Sequence, residues 1–159
     1  PQDQKEFIGL FDSKEKVEWC LGGEERQDSV YQGLLRVKSD YVMIHDGARP
    51  YLTKDCIKRL LTALEQYEAC LLMVPAKDTI KIVDEDGFVK ETPNRASLMH
   101  AQTPQAFKTE LIKEACRLAK KQCVLGTDDA SLVEMMTDVK VKIVEGDYSN
   151  IKITTPEDL

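Results

Sequence analysis

Ten consecutive residues constrain this chain most: Tyr41-Val42-Met43-Ile44-His45-Asp46-Gly47-Ala48-Arg49-Pro50. Four apolar residues of strand character run directly into a polar loop that holds a carboxylate, a glycine and a guanidinium. Such a continuous apolar run predicts a central strand over 41–45, in a parallel sheet buried on both faces. Open α/β sheets bind ligands in the crevice beyond the carboxyl ends of their strands. Asp46 is therefore expected at the functional edge, able to hold a Mg²⁺ or a sugar hydroxyl. Gly47 lets a ligand approach the backbone, and Arg49 offers a planar fork suited to phosphate. On spacing alone the same residues fit a strand exit closed by a solvated Asp–Arg pair.

The flanking pattern alternates. An apolar cluster at Phe7, Ile8, Leu10 and Phe11 fits a helix on the sheet, 17–21 a short strand ended by Gly22-Gly23, and 26–38 a helix. Val30, Leu34, Leu35 and Val37 carry the helical spacing, with Asp28 and Ser29 near its start. Thr53 is the expected N-cap of a helix reaching about residue 67, with Ile57, Leu60, Leu61 and Leu64 as its apolar stripe. A fully apolar strand over 69–74 closes at Pro75. Strands and helices at these intervals imply right-handed parallel crossovers and a layered α/β fold.

Beyond Pro75 the pattern changes. Segments 78–83 and 88–92 flank Asp84-Glu85-Asp86-Gly87, a hairpin signal. Lys77, Asp78, Lys81, Lys90 and Glu91 make this hairpin polar, and a lone two-stranded hairpin is marginal. It is expected to project and pair with its copy in a second subunit. Residues 98–102 then lead into Thr103-Pro104-Gln105, followed by a helix over 108–121. Thr127 or Asp128 would cap a helix ending at Met136. A strand over 139–144 and an extended piece over 150–154 come next. Thr155-Pro156-Glu157-Asp158 reads as a helix start, and with Leu159 the last residue it reads as a segment of a longer protein.

At 159 residues the chain predicts a single domain, 1–159, with one core. A net charge of −6 without any Lys/Arg block argues against nucleic-acid or anionic-membrane partners. Without a transmembrane run or signal pattern, the cytosol is the expected compartment. Five cysteines form no C-x-x-C pair. Cys20, Cys56 and Cys70 lie within apolar patterns and read as small buried hydrophobes. With His45 and His100 the only histidines, a zinc site has little to build on.

Six stretches together resemble the 2-C-methyl-D-erythritol 4-phosphate cytidylyltransferase family of non-mevalonate isoprenoid synthesis. They are Gly22-Gly23-Glu24-Glu25-Arg26-Gln27-Asp28-Ser29-Val30, His45-Asp46-Gly47-Ala48-Arg49-Pro50, Asp78-Thr79-Ile80-Lys81, Gln102-Thr103-Pro104-Gln105, Asn150-Ile151-Lys152-Ile153-Thr154 and Pro156-Glu157-Asp158-Leu159. They occur in the family's order from about Gly22 to the last residue. The resemblance implies a three-layer, Rossmann-like fold of the nucleotide-diphospho-sugar-transferase type. Its sheet is mostly parallel, and a protruding β-arm at about 77–99 builds a homodimer. It also implies the reaction: CTP and methylerythritol phosphate give the cytidine diphosphate alcohol and pyrophosphate, with Mg²⁺ or another divalent cation required.

The resemblance carries roles to individual residues. Gly23, Glu24 and Ser29 fall where the family holds the cytosine base, although a turn and a cap box explain Ser29 as well. Asp46 falls on the acid that meets the substrate alcohol and lies near the metal, directly or through water or phosphate. Gly47, where many members have alanine, keeps a backbone amide available. Arg49 belongs to the same motif and also fits a structural pairing with Asp46. Thr79 and Arg95 correspond to arm residues that reach methylerythritol phosphate in the partner's site, where a guanidinium suits a phosphate. Thr103 and Lys152 lie near the same pocket. Lys152, between Ile151 and Ile153, points away from the core. Arg95 and Lys152 are the expected catalytic cations.

The family opens with a Gly-rich loop carrying an arginine and a lysine that cradle the triphosphate, and no such motif occurs here. The chain is thus expected to be the C-terminal two-thirds of the enzyme and to turn over CTP poorly alone. A sister enzyme, ribitol 5-phosphate cytidylyltransferase, has similar motifs. Lys81 after Asp78-Thr79-Ile80, and Leu98-Met99-His100-Ala101, resemble the isoprenoid enzymes more. A non-catalytic dimerisation module is the third reading, which the polar residues at substrate-facing positions disfavour.

Overall fold

Alternate burial along one strand sets the layers of this protein, whose computed structural model describes residues 17–158. Helix α1 (Arg26–Leu34) precedes β1 (Tyr41–Ile44), then come α2 (Lys54–Leu64) and β2 (Ala69–Pro75). A hairpin of β3 (Ile82–Val83) and β4 (Val89–Glu91) leads through a 3₁₀ turn, Arg95–Ser97, into β5 (Met99–Lys108). Helices α3 (Thr109–Lys121) and α4 (Asp129–Met136), strand β6 (Lys142–Glu145) and a 3₁₀ turn at Pro156–Asp158 complete it. Successive residues of β2 turn to opposite faces. Ala69 and Leu71 pack with Phe107, Ile112, Cys116 and Val133 beneath α1, α3 and α4. Cys70 and Leu72 pack with Leu60, Leu64 and Val144 beneath α2. The result is the expected three-layer α/β fold.

The sheet order is β1-β5-β2-β6. β5 pairs antiparallel with β1 and β2, and β2 pairs parallel with β6. Three strands therefore share one direction, as a mostly parallel sheet requires, and β5 is the exception. Among the described residues β1 is an edge strand and half-buried, not the expected central strand buried on both faces. The physical reason is β5, whose ten residues are long enough to pair on both sides and separate β1 from β2. Sequence reading ends the extended segment 98–102 ahead of Thr103-Pro104-Gln105, and Gln102, Thr103 and Gln105 are all polar. In the fold all three are buried. Pro104 offers no N–H to a ladder, and the β2–β5 register shifts between Leu71 and Met73 beside it. Such a bulge re-aims side chains.

Local sequence explains most helices. Thr53 caps α2 by accepting from the Cys56 N–H at 3.3 Å. The buried stripe of α2 is Cys56-Leu60-Leu64, whereas Leu61, expected within the stripe, is 52% exposed, one position off it. Asp128 caps α4 by accepting from Ser131 N–H at 2.8 Å. Helix α1 ends at Leu34, so Leu35 and Val37 lie past it. Residues 17–21 form no strand, and 150–154 join no ladder. The segment holding Phe7, Ile8, Leu10 and Phe11 lies outside the described residues, as does Leu159. Cys56, Cys70 and Cys116 are buried, and burial pushes the Cys70 thiol up to about 11 and that of Cys116 to about 12. Cys20 is only partly buried.

The hairpin forms where expected, as a separate two-stranded sheet exposed at all five strand positions. Asp84 accepts from the Asp86 and Phe88 N–H groups at 3.1 and 2.8 Å, and Gly87 takes φ +87°, which favours glycine. At its root the Tyr148 hydroxyl donates to Pro75 O at 2.7 Å, and the Lys77 ammonium sits 3.6 Å over the Tyr148 ring. No helix among the described residues is long and apolar enough to cross a membrane.

Candidate active site

Beyond the last ladder pair, Ile44 with Gln105, the β1–β5 register would set Asp46 opposite Thr103. A side chain takes over the link there. The Asp46 N–H donates to Thr103 Oγ1 at 3.0 Å. Thr103 Oγ1 also lies 2.9 Å from His45 Nδ1, and His45 Nε2 lies 3.1 Å from Arg49 O. A carbonyl only accepts, so His45 carries a proton on Nε2, and in the neutral ring Nδ1 then accepts from the Thr103 hydroxyl. The loop closes with Arg49 N–H on Asp46 O at 3.0 Å. Asp46 is thereby aimed by β5 as well as by its own strand.

Three cations converge on the Asp46 carboxylate. Lys152 Nζ is 3.2 Å and Arg49 Nε 3.8 Å from Oδ2, and an Arg26 nitrogen is 3.4 Å from Oδ1. They arrive from α1, from the loop after β1 and from the segment after β6. That last segment is held against the loop. Arg49 donates to Asn150 O at 2.7 Å, buried Asn150 donates to Thr103 O at 2.8 Å, and Ile153 N–H donates to Ala48 O at 2.8 Å. The Asp46 side chain is 16% exposed. Burial works to raise its pKa, but the hydrogen bond and charge of Lys152, then those of Arg26, outweigh it and hold the carboxyl below its ordinary value. Burial lowers the Arg49 pKa, opposed by Asp46. The hydrogen bond from Arg26 to Asp129 raises that of Arg26 against burial.

These residues, with Gln102, Gln105 and Asp128, bound a pocket of about 330 Å³. A larger open cavity, about 780 Å³, lies at the opposite end of β1, between Tyr41, Lys108 and Thr109. We place the site in the smaller one, because convergent charge and a shifted carboxyl mark functional pockets better than volume does. No group of three or more His, Cys, Asp or Glu residues among the described residues could hold a metal ion. Asp46 is the carboxylate that the three pocket cations approach. A lone carboxylate offers a Mg²⁺ one protein ligand, which is compatible with that ion, because magnesium is commonly held by one or two carboxylates with its other ligands from phosphate and water.

Of the residues singled out in the sequence, the fold brings Asp46, Arg49, Thr103 and Lys152 together, with Gly47 beside them. A Cβ at Gly47 would meet nothing within 4 Å, so alanine fits there. Gly23 and Glu24 lie on the loop that enters α1, and Ser29 lies within α1, close to its start. Ser29 Oγ accepts from Gly23 N–H at 3.0 Å and donates to Glu25 O at 3.2 Å, so its hydroxyl already ties the loop to itself. Glu24 is exposed. Thr79 and Arg95 stay on the arm, outside this pocket, and Arg95 donates to Lys77 O at 2.9 Å. Sequence reading missed Arg26, which lay inside a quoted motif, and Asp129, which follows the residues read only as a cap. Gln102 also was quoted without a role. It donates to Asp147 O at 2.8 Å and anchors the loop after β6.

A family model described as 2-C-methyl-D-erythritol 4-phosphate cytidylyltransferase matches residues 1–159, ahead of Gly22 as well as after it. The chain is 51% identical over 156 residues to a protein of Bacillus mycoides (strain KBAB4) named 2-C-methyl-D-erythritol 4-phosphate cytidylyltransferase, covering 98% of this chain and 68% of that one. A protein of the same name from Caldanaerobacter subterraneus subsp. tengcongensis is 56% identical over 140 residues, covering 87% of this chain and 61% of the relative. Among solved structures, 4-diphosphocytidyl-2C-methyl-D-erythritol synthase from Anaerococcus prevotii DSM 20548 superposes with a TM-score of 0.91 at 35% identity. That match covers 99% of this chain and 74% of that structure.

The lowered Asp46 carboxyl has a consequence for stability. A group whose folded pKa lies below its unfolded one adds stability that is complete above the unfolded value and lost as pH falls through the folded value. Wild type is expected to exceed Asp46→Asn in urea-unfolding free energy near neutrality. The gap should close as pH drops below about 4, the ordinary range of an aspartate. A gap that stays constant down to about pH 2 would contradict the ionic origin of the contact.

Proposed function

The chain belongs to the 2-C-methyl-D-erythritol 4-phosphate cytidylyltransferase family, and from that footing we propose how its residues serve the transfer of a cytidylyl group. The reaction joins CTP to 2-C-methyl-D-erythritol 4-phosphate. A phosphate oxygen of the alcohol phosphate attacks the α-phosphorus of CTP, the bond to the β-phosphate breaks, and pyrophosphate leaves with that electron pair. No covalent enzyme intermediate is needed. The protein has to align two anions and neutralise charge on the five-coordinate phosphorus.

The observation that carries the assignment of roles is the meeting of Lys152, Arg49 and Arg26 on Asp46. Lys152 is 45% exposed on a flexible stem. It can exchange Asp46 Oδ2 for a phosphate oxygen with little rearrangement, as a compact ammonium does readily. Asp46, freed on that side, meets the substrate alcohol. A Mg²⁺ carried on the triphosphate would add Lewis-acid charge neutralisation beside Asp46. Thr103 keeps Asp46 aimed through its backbone, and Arg49 keeps the 150–154 segment docked. The loop holding Gly23 and Glu24, with Ser29 from α1 beside it, would read the cytosine edge through backbone groups, and the Ser29 contacts to Gly23 and Glu25 preorganise it.

Arg95 and Thr79 act on this reading from a second copy of the chain. Paired arms would carry the exposed Ile82, Val83, Phe88 and Val89 out of water and bring the Arg95 guanidinium to the methylerythritol phosphate of the partner's site.

Two experiments on the full-length enzyme test this. With CTP and Mg²⁺, pyrophosphate release is expected with methylerythritol phosphate and absent with ribitol 5-phosphate. Chelation should stop it while leaving the unfolding midpoint unchanged. Lys152→Met should lower kcat/KM about 10²–10³-fold, the usual loss of one preorganised charge donor. Release with ribitol 5-phosphate alone would overturn the substrate assignment. For the arm, inactive Arg95→Ala and Asp46→Asn chains are co-refolded. Recovery of up to about a quarter of wild-type activity is expected, since one site of a mixed dimer receives both intact residues. No recovery from a verified mixed dimer would place Arg95 in its own subunit's site.

A further inference from the structure

Arg26 faces two carboxylates at once. Its two terminal nitrogens reach Asp129 Oδ1 and Oδ2 at 3.2 and 2.8 Å, and one of them lies 3.4 Å from Asp46 Oδ1. Asp129 is 1% exposed, in the first turn of α4. That turn is fixed from the sheet, because Gln105 donates to Asp128 at 2.7 Å and accepts from Ala130 N–H at 2.8 Å. The guanidinium is therefore anchored on a rigid, buried charge. The Asp129 contact is already bidentate and complete. Nothing in the stability of that pair calls for reaching on to Asp46.

The two Asp46 oxygens are divided between partners. Oδ1 goes to Arg26, while Oδ2 faces the exchangeable Lys152, with Arg49 Nε further off. We propose that Arg26 is a positioning residue for cytidylyl transfer: anchored on Asp129, it holds Asp46 Oδ1 and so presents Oδ2 to the reactants. This rests on the functional reading above. It also gives Arg26 a place in the segment that carries Gly23 and Ser29, since the same side chain links the entry to α1 with Asp46. The fork is essential. A lysine can neutralise Asp129, but it has no second nitrogen with which to span to Asp46.

The test is steady-state kinetics on full-length wild type, Arg26→Lys, Asp129→Asn and the double variant, alongside thermal unfolding. Arg26→Lys is expected to lose at least tenfold in kcat with KM for CTP within threefold and an unfolding midpoint near that of wild type. The double variant should be no worse than Arg26→Lys alone, because both act through one linkage. Should Arg26→Lys fail to fold, Arg26→Gln with Asp129→Asn removes both charges together and is held to the same criterion. A kcat within twofold of wild type, a loss confined to KM, or a loss that merely follows the unfolding midpoint would overturn the proposal. Absence of turnover by wild type in the same assay would instead overturn the functional reading on which it stands.

Discussion

One carboxylate holding three cations from distant parts of the chain is the interaction on which the candidate site depends. Arg26, Arg49 and Lys152 approach Asp46 from segments up to 126 positions apart in sequence. Their contribution to stability is small. Arg26 and Lys152 are each nearly half exposed, and exposed ion pairs typically contribute only about 0–1 kcal/mol. A cluster that adds so little to folding while concentrating positive charge in a concave pocket is suited to anions. The pocket needs a negative charge to hold the three cations together before phosphate arrives, and Asp46 supplies that charge.

The scaffold for this cluster is β5. Its inward polar residues would each cost a few kcal/mol if buried without partners. Each has one from a different neighbour: Thr103 from the Asp46 backbone, Gln102 from the loop after β6, and Gln105 from the start of α4. The strand therefore ties three loops at one end of the sheet with bonds that are expensive to leave unmade. Asn150 completes the arrangement by bonding back to Thr103 O. The Gln-Thr-Pro-Gln stretch is polar because it organises loops.

Apolar patterning marked α2 and β2, since these bury a face and their spacing records it, and the cap residues Thr53 and Asp128 marked the starts of α2 and α4. Leu60 and Leu64 sit at helical intervals, and residues 69–74 are too uniformly apolar to be anything but a core strand. β5 was only partly legible, because hydrogen-bonded Gln and Thr look like a loop when their partners are unknown. The same limit applied to the site. Asp46, Arg49, Thr103 and Lys152 stood in recognisable motifs, and the fold brought them together. Arg26 and Asp129 could not be paired from sequence, because only the docking of α4 beside α1 places them in contact. Residues 17–21 carried a strand pattern without any ladder partner among the described residues, and a pattern alone cannot supply one.

The most direct measurement is the steady-state cytidylyl-transfer activity of Asp46→Asn in the full-length enzyme. Asparagine preserves the shape and the backbone bond to Thr103 while removing the charge that gathers the cations. A fall of at least about 100-fold in kcat/KM with the folded state intact at neutral pH is the expected result. Activity within a few fold of wild type would contradict the account, leaving Asp46 as a surface ion-pair partner and moving the chemistry elsewhere.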